Sequence, residues 1–331
     1  MKAFYPFLAV ISLLSIVYAG VGIFGMYALF GAVIPYTAFL LFICGIIYRV
    51  IVWAKTPQPF CIPTVCGQQK SLPWIKADNI ESPYTRAGVI GRMALEVLLF
   101  RSLFRNDRVE LRDGGRLVFS GNKFLWLGGL LFHWSLLFIL MKHLRFFTEP
   151  IPAFVLFLQG VDGIFELTIP ALFITDGLII VALTYLFLRR VIYPQIRYIS
   201  IPSDYFTLFL IAGIVSTGIL MRHIFKVDLL EIKRLSLGLV SFHPVVPPGI
   251  GLAFYLHLFL VSVFLAYLPV SKIIHMAGVF FSPTRNQMNN NRMVRHVNPW
   301  NYPVKLHTYE EWENDFRDAI KEAGLPLEKN E

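Results

Sequence analysis

Four histidines in two pairs are the residues of this chain best suited to do chemistry. His133 and His143 lie on one strongly apolar stretch, and His257 and His275 lie on another towards the C-terminus. Haem iron accepts neutral imidazole on each axial side, and a bis-histidine haem b needs one histidine from each of two facing helices at the same depth. Two further apolar stretches separate these two, so in a membrane they run in opposite directions. The first histidine of each pair then lies level with the last of the other. That geometry suits two stacked haems, with His143 opposite His257 and His133 opposite His275, and points to electrons moving between the faces of a bilayer.

Helix arithmetic tests the spacing. At about 1.5 Å and 100° per residue, His257 and His275 lie roughly 27 Å apart on one face, while His133 and His143 lie roughly 15 Å apart and about 80° round the helix. The mismatch requires tilted helices, tilted haems or a bend, and Pro269 is an obvious source of a bend. Averaging the two rises puts the haem centres about 20 Å apart.

The elements that position these residues follow from composition. The chain has 331 residues, 56% of them hydrophobic and only 15% charged, with a mean hydropathy of +0.61. These values exclude an ordinary soluble domain. A hydrocarbon layer of about 30 Å needs roughly 20 apolar residues per helical span. Six segments qualify, at about 6–28, 32–53, 124–146, 168–188, 204–222 and 250–272. The expected fold is an all-α integral membrane protein of six transmembrane helices, the last four forming a haem-binding bundle. The first span exceeds a signal core of about 7–15 residues and shows no small-residue cleavage site, so it reads as a retained helix.

Basic residues orient the bundle. With both termini cytoplasmic, the inner segments hold 23 of the 30 Lys and Arg residues, as the positive-inside rule favours. The expected location is the cell membrane, multi-pass. The net charge of +9 is explained by this asymmetry and by anionic lipid heads; no basic-aromatic interleaving indicates nucleic acid.

Four regions follow. Residues 1–54 carry two N-terminal transmembrane helices. Residues 55–123 form a cytoplasmic segment, Pro-rich at first, then an amphipathic surface helix from Arg86 to Phe104, then a turn at Asp113-Gly114-Gly115. Residues 124–282 form the four-helix di-haem core, with a short external loop at 223–249. Residues 283–331 form a cytoplasmic tail, too short to bury a core and suited to docking a partner, with a helix from Tyr309 to Ala323.

Other polar residues bear on the haems. Gly128, Gly129, Gly249, Gly251, Gly278 and Ala253 thin the two histidine helices and serve helix packing or a haem slot. Arg145 and Lys272 could pair with haem propionates or snorkel to head groups. Quinol oxidation releases protons, and Lys142, Asp162, Glu166 and His223 are candidates to take them; the simpler reading of each is an interfacial, solvated charge. Cys61 and Cys66 form a C-x4-C pair that cannot complete a four-ligand metal site, and Cys44 reads as a packing residue.

The run from Phe132-His133 to Lys142-His143-Leu144-Arg145-Phe146-Phe147, with the eighteen-residue spacing of His257 and His275, resembles the di-haem cytochrome b (γ) subunit of respiratory nitrate reductases. The resemblance covers roughly residues 120–282. The additional N-terminal span and the Pro- and Cys-containing segment are more similar to the membrane cytochrome of the sulfite-reduction-associated DsrMKJOP complex, also called the Hdr-like menaquinol-oxidising complex. This implies two haems b on His133, His143, His257 and His275. It implies electron exchange between menaquinone and a cytoplasmic, heterodisulfide-reductase-like iron–sulfur subunit in dissimilatory sulfur metabolism. It also implies a periplasmic cytochrome c and further membrane and iron–sulfur subunits as partners. In the nitrate reductase subunit a basic residue about twenty positions after the second histidine helps to bind quinone; here Asp162, Gly163 and Glu166 occupy that neighbourhood. Two other readings stand beside this one: the quinol-oxidising subunit of a nitrate reductase, and a haem-free transporter or membrane anchor. The last predicts discontinuous helices and repeat symmetry, and the sequence shows neither.

Overall fold

A computed structural model describes residues 2–56, 67–105, 108–163, 173–247, 249–282, 284–294 and 306–328. The architecture is mostly helical because backbone groups surrounded by lipid must bond within their own segment. Helix α1 (Phe4–Val17) runs through a π turn to Ile23, and α2 (Ile34–Lys55) is preceded by a second π turn. Next come α3 (Arg86–Leu99), α4 (Arg101–Arg105), and strands β1 (Arg108–Arg112) and β2 (Arg116–Ser120). Helices α5 (Lys123–His143), α6 (Ala153–Asp162), α7 (Ile174–Ile192) and α8 (Pro194–Ile199) follow. The remainder is α9 (Pro202–Leu220), α10 (Leu229–Val240), α11 (Leu252–Tyr267), α12 (His275–Gly278) and α13 (Tyr309–Glu322).

Among the described residues, five helices are long and apolar enough to cross a membrane: Phe4–Ile23, Leu29–Lys55, Lys123–Phe146, Pro202–Phe225 and Leu252–Val270. The sixth expected span, 168–188, is represented by α7, which carries Asp176 in its first turn and Arg189 and Arg190 in its last; the expected start of that span lies outside the described residues. These helices pack in pairs, α5 on α7, α2 on α11, α1 on α9, and α9 on both α7 and α11. Lipid tails are as apolar as leucine, so van der Waals fit rather than water exclusion holds such helices together. The fit is made by Phe132, Ile179, Ala182, Leu183 and Ile211 in one layer, and by Val17, Phe30, Leu235, Tyr255 and Phe259 in another.

Three local features depart from expectation. The chain is not purely helical: β1 and β2 pair antiparallel, Arg108 opposite Ser120 and Arg112 opposite Arg116. The alternation of apolar and polar residues over Arg108–Arg112, just before Asp113-Gly114-Gly115, has the period of a strand, and both glycines sit at positive φ. The expected loop 223–249 contains α10, because the Asp228 side chain accepts from the N–H groups of Leu230 and Glu231. The helix so started buries Ile232 and Leu235. Finally, the C-terminal histidines do not share one helix. After Tyr267 the chain passes into 3₁₀ turns at Leu268–Val270 and Lys272–Ile274, with extended Ser271 between them. Pro269 seats against α2 there, where a Cβ on Gly45 would come within 2.5 Å of its ring.

A platform gathers at the His275 end of the bundle. The indoles of Trp126 and Trp134 donate to the carbonyls of Leu99 (2.7 Å) and Leu98 (3.0 Å), tying the end of the amphipathic α3 to α5. Glu81 accepts from Arg101 and Arg105. Buried Asn289, in the Asn-rich start of the tail, donates to Pro83 O at 2.7 Å. Helix α13 ends one residue short of expectation, and opens with a capping box between Thr308 and Glu311.

Candidate haem site

The first pair is brought together by α5, α9 and α11. The rings of His143 and His257 lie with centroids 6.3 Å apart and planes 12° from parallel. The second is made by α5 and the broken end of the last span: the centroids of His133 and His275 are 6.0 Å apart, at 82°. Because that span breaks at Pro269, the straight-helix separation of His257 and His275 does not apply. The spacing along α5, about 15 Å, becomes the better measure of the distance between the pairs.

The hydrogen bonds of the four rings share one pattern. The Nδ1 of His133 meets Gly129 O at 2.7 Å, that of His143 meets Ile139 O at 2.7 Å, and that of His275 meets Lys272 O at 2.9 Å. His257 Nδ1 lies 3.1 Å from Ile214 O and 3.0 Å from the Thr217 hydroxyl, both on α9. A carbonyl oxygen only accepts, so each Nδ1 must carry the proton and donate it. Every Nε2 therefore keeps a lone pair, and among the described residues none of the four makes a hydrogen bond. A metal-binding imidazole is ordinarily held this way, with its second nitrogen donating to a carbonyl that sets tautomer and orientation.

The separations fit one metal between each pair. An imidazole nitrogen bonds a first-row metal at about 2.0–2.1 Å and lies roughly 1.1 Å from its ring centre, so rings sharing a metal have centroids about 6 Å apart. Among the described residues, no three or more His, Cys, Asp or Glu side chains cluster as a metal site. Each pair offers two imidazoles, the number of ligands that a haem leaves for the protein.

The neighbouring candidates fall differently. Lys142 and Asp162, read from sequence as solvated charges, are buried, 8% and 3% exposed. They form an ion pair, and Thr175 on α7 donates to Asp162 through its N–H (2.9 Å) and its hydroxyl (2.6 Å). Arg145 donates to Gln159 at 3.0 Å, and Lys272 to Asp204 at 2.9 Å. Glu166, Cys61 and Cys66 lie outside the described residues. Of the glycines, Gly128 is a packing residue: a Cβ there would lie 2.5 Å from the Tyr185 ring, while a Cβ on Gly249 or Gly251 would meet nothing within 4 Å among the described residues.

Sequence reasoning missed Thr175, Asp176, Thr217 and Arg222. Asp176 had a usable signal, since a carboxylate at the edge of an apolar span is costly and marks function. Thr217 had none, because its value lies in facing His257 from another helix. Phe173 is flanked by Lys142 Nζ and Arg222 Cζ, at 3.6 and 3.7 Å from its ring centre.

Comparison with known proteins adds three matches. The family profile described as nitrate reductase gamma subunit matches residues 92–296. The chain is 44% identical to the Hdr-like menaquinol oxidoreductase cytochrome b-like subunit of Archaeoglobus fulgidus over 279 residues, 82% of this chain and 83% of that protein. The protein of the same description from Archaeoglobus profundus is also 44% identical, over 299 residues, 88% of this chain and 87% of its own.

Proposed function

The chain belongs to the nitrate reductase gamma subunit family, and on that premise we propose that it is a di-haem cytochrome b of the cell membrane, exchanging electrons between menaquinone and a soluble iron–sulfur partner. His143 with His257 would hold one haem b, and His133 with His275 the other. The observation that carries this reading is that four imidazoles, fixed in one tautomer by carbonyls, face each other in two pairs about 6 Å between centroids. Bound there, the haems would supply one-electron chemistry at two depths of the bilayer.

The chain's own residues have separate tasks. Gly129, Ile139, Ile214 and Lys272 present the carbonyls that orient the imidazoles. The Lys142–Asp162 pair holds α5 to the end of α6 without leaving a bare charge in the bundle. In this reading α7 completes a sixth span, the last four spans enclose the haems, and both termini are cytoplasmic. The platform of segment 55–123 and tail 283–331 then faces the cytoplasm.

The relatives' names, with "Hdr-like" and "menaquinol" in them, support menaquinol as electron donor and a heterodisulfide-reductase-like iron–sulfur subunit as the cytoplasmic partner. Further membrane, iron–sulfur and periplasmic cytochrome c subunits, and a place in dissimilatory sulfur metabolism, belong to the same proposal. Family membership alone fits a nitrate reductase equally. Copurification of the native complex separates the two: a Cys-rich iron–sulfur subunit supports the proposal, and a molybdenum subunit refutes it.

A further inference from the structure

At the His143 end of the bundle, α5, α7 and α9 converge on a cluster of polar groups that the haem ligands do not use. Lys142 comes from α5, Asp162 from the end of α6, Thr175 and Asp176 from the start of α7, and Arg222 and His223 from the π turn Met221–Phe225 that ends α9. Phe173 stands between the Lys142 and Arg222 cations.

The hydrogen bonds divide this cluster into occupied and open acceptors. Asp162 is occupied: Oδ1 takes the Thr175 N–H, and Oδ2 takes both Lys142 and the Thr175 hydroxyl. A carboxylate so committed has little capacity left for a ligand. Asp176 makes no hydrogen bond or ion pair among the described residues, although Lys142, Arg222 and His223 act on it electrostatically. His223 Nε2 is buried and, among the described residues, without a hydrogen-bond partner. A buried polar atom left unpaired is costly, and π turns recur at functional sites. Asp176 and His223 therefore stand together, both unpaired among the described residues, next to the His143 and His257 pair.

We propose that Asp176 and His223 accept the two hydroxyl protons of a membrane quinol at this end of the bundle. This rests on the quinol-linked reading above. As the quinol is oxidised, its two O–H bonds break and the protons pass to the Asp176 carboxylate and to the Nε2 of His223, which in this step carries its own proton on Nδ1. The oxidant would be the haem b that His143 and His257 would hold, which would take the two electrons singly on behalf of the iron–sulfur acceptor. The quinone departs and the two protons leave to the aqueous phase at that face. Lys142 and Arg222 hold the charge of the cluster near balance, and Phe173 offers the head group an aromatic face.

The test uses the native complex in proteoliposomes, with a reduced short-chain naphthoquinol as donor, comparing wild type with Asp176→Asn and His223→Gln. Both variants are expected to keep the wild-type dithionite-reduced haem spectrum. Haem reduction by naphthoquinol should slow at least tenfold in each, a floor set below the roughly 10²–10⁴-fold that a positioned proton acceptor contributes, with a changed pH dependence. Wild-type rates and pH dependence in both variants would overturn the proposal and leave the quinol reading intact. If naphthoquinol reduces no haem even in the wild type while dithionite does, the quinol reading fails and the proposal falls with it. Loss of haem from one variant is visible in its spectrum and leaves the decision to the other. Loss from both makes these residues part of the haem fold and overturns the assignment.

Discussion

His257 on α11 and His143 at the end of α5 stand ring to ring, 6.3 Å between centroids and 12° from parallel, although they are 114 positions apart in sequence. Each is turned by a carbonyl, Ile139 on its own helix for His143 and Ile214 on a neighbouring helix for His257. Neither Nε2 makes a hydrogen bond among the described residues, and this pairing makes definite demands on variants.

Ligand loss should be pairwise. His143→Ala and His257→Ala should each remove one and the same haem, and His133→Ala and His275→Ala should each remove the other. Haem content per chain, read from reduced-minus-oxidised spectra, should fall from about two to about one in each single variant. The double variant His143→Ala with His257→Ala should lose no more than either alone. Combining His143→Ala with His133→Ala should leave none.

The second pair should depend on packing at the bend. Gly45→Ala would bring a methyl group within 2.5 Å of Pro269, closer than carbon atoms approach. We expect displacement of the Leu268–Ile274 turns and selective loss of the His133 and His275 haem. Retention of both haems with unchanged spectra would show that Pro269 does not locate His275.

Thr217 offers a finer probe. Its hydroxyl lies 3.0 Å from His257 Nδ1, and an acceptor there makes the imidazole more electron-donating, which favours ferric iron. Thr217→Val should therefore raise the midpoint potential of one haem and leave the other unchanged, as a redox titration would read. A downward shift, or equal shifts in both haems, contradicts the assignment.

Breaking the Lys142–Asp162 pair should be expensive. Lys142→Met leaves Asp162 buried without its cation, and such a loss costs about 3–5 kcal/mol. Thermal unfolding in detergent should show a clear drop for Lys142→Met and a smaller one for Lys142→Met with Asp162→Leu. Equal stability of wild type and the single variant would mean that the pair is solvated.

Much of this arrangement was legible in the sequence, for reasons that differ by element. The apolar runs around Phe4–Ile23 and Leu29–Lys55 declare themselves, because a bilayer imposes one length on every span. Both histidine partnerships followed from counting crossings, since antiparallel passage fixes which depths coincide. What stayed hidden depends on neighbours distant in the chain. Lys142 and Asp162 read singly as interfacial charges, and only the folded bundle shows that Thr175 closes the pair. Pro269 foretold a bend, but its extent, two 3₁₀ turns with extended Ser271 between them, comes from seating the proline on Gly45. Helix α10 was overlooked because 12 amphipathic residues between two spans carry too weak a hydropathy signal to separate from a loop.

The central claim is that two haems b sit between these imidazoles, and the most direct measurement is the haem stoichiometry and absorption spectrum of the purified chain. The account predicts about two haems per chain, low-spin with a reduced α-band in the haem b region, as paired axial imidazoles require. A purified, folded protein with no such band, or one retaining both haems in His133→Ala and His143→Ala, would contradict it.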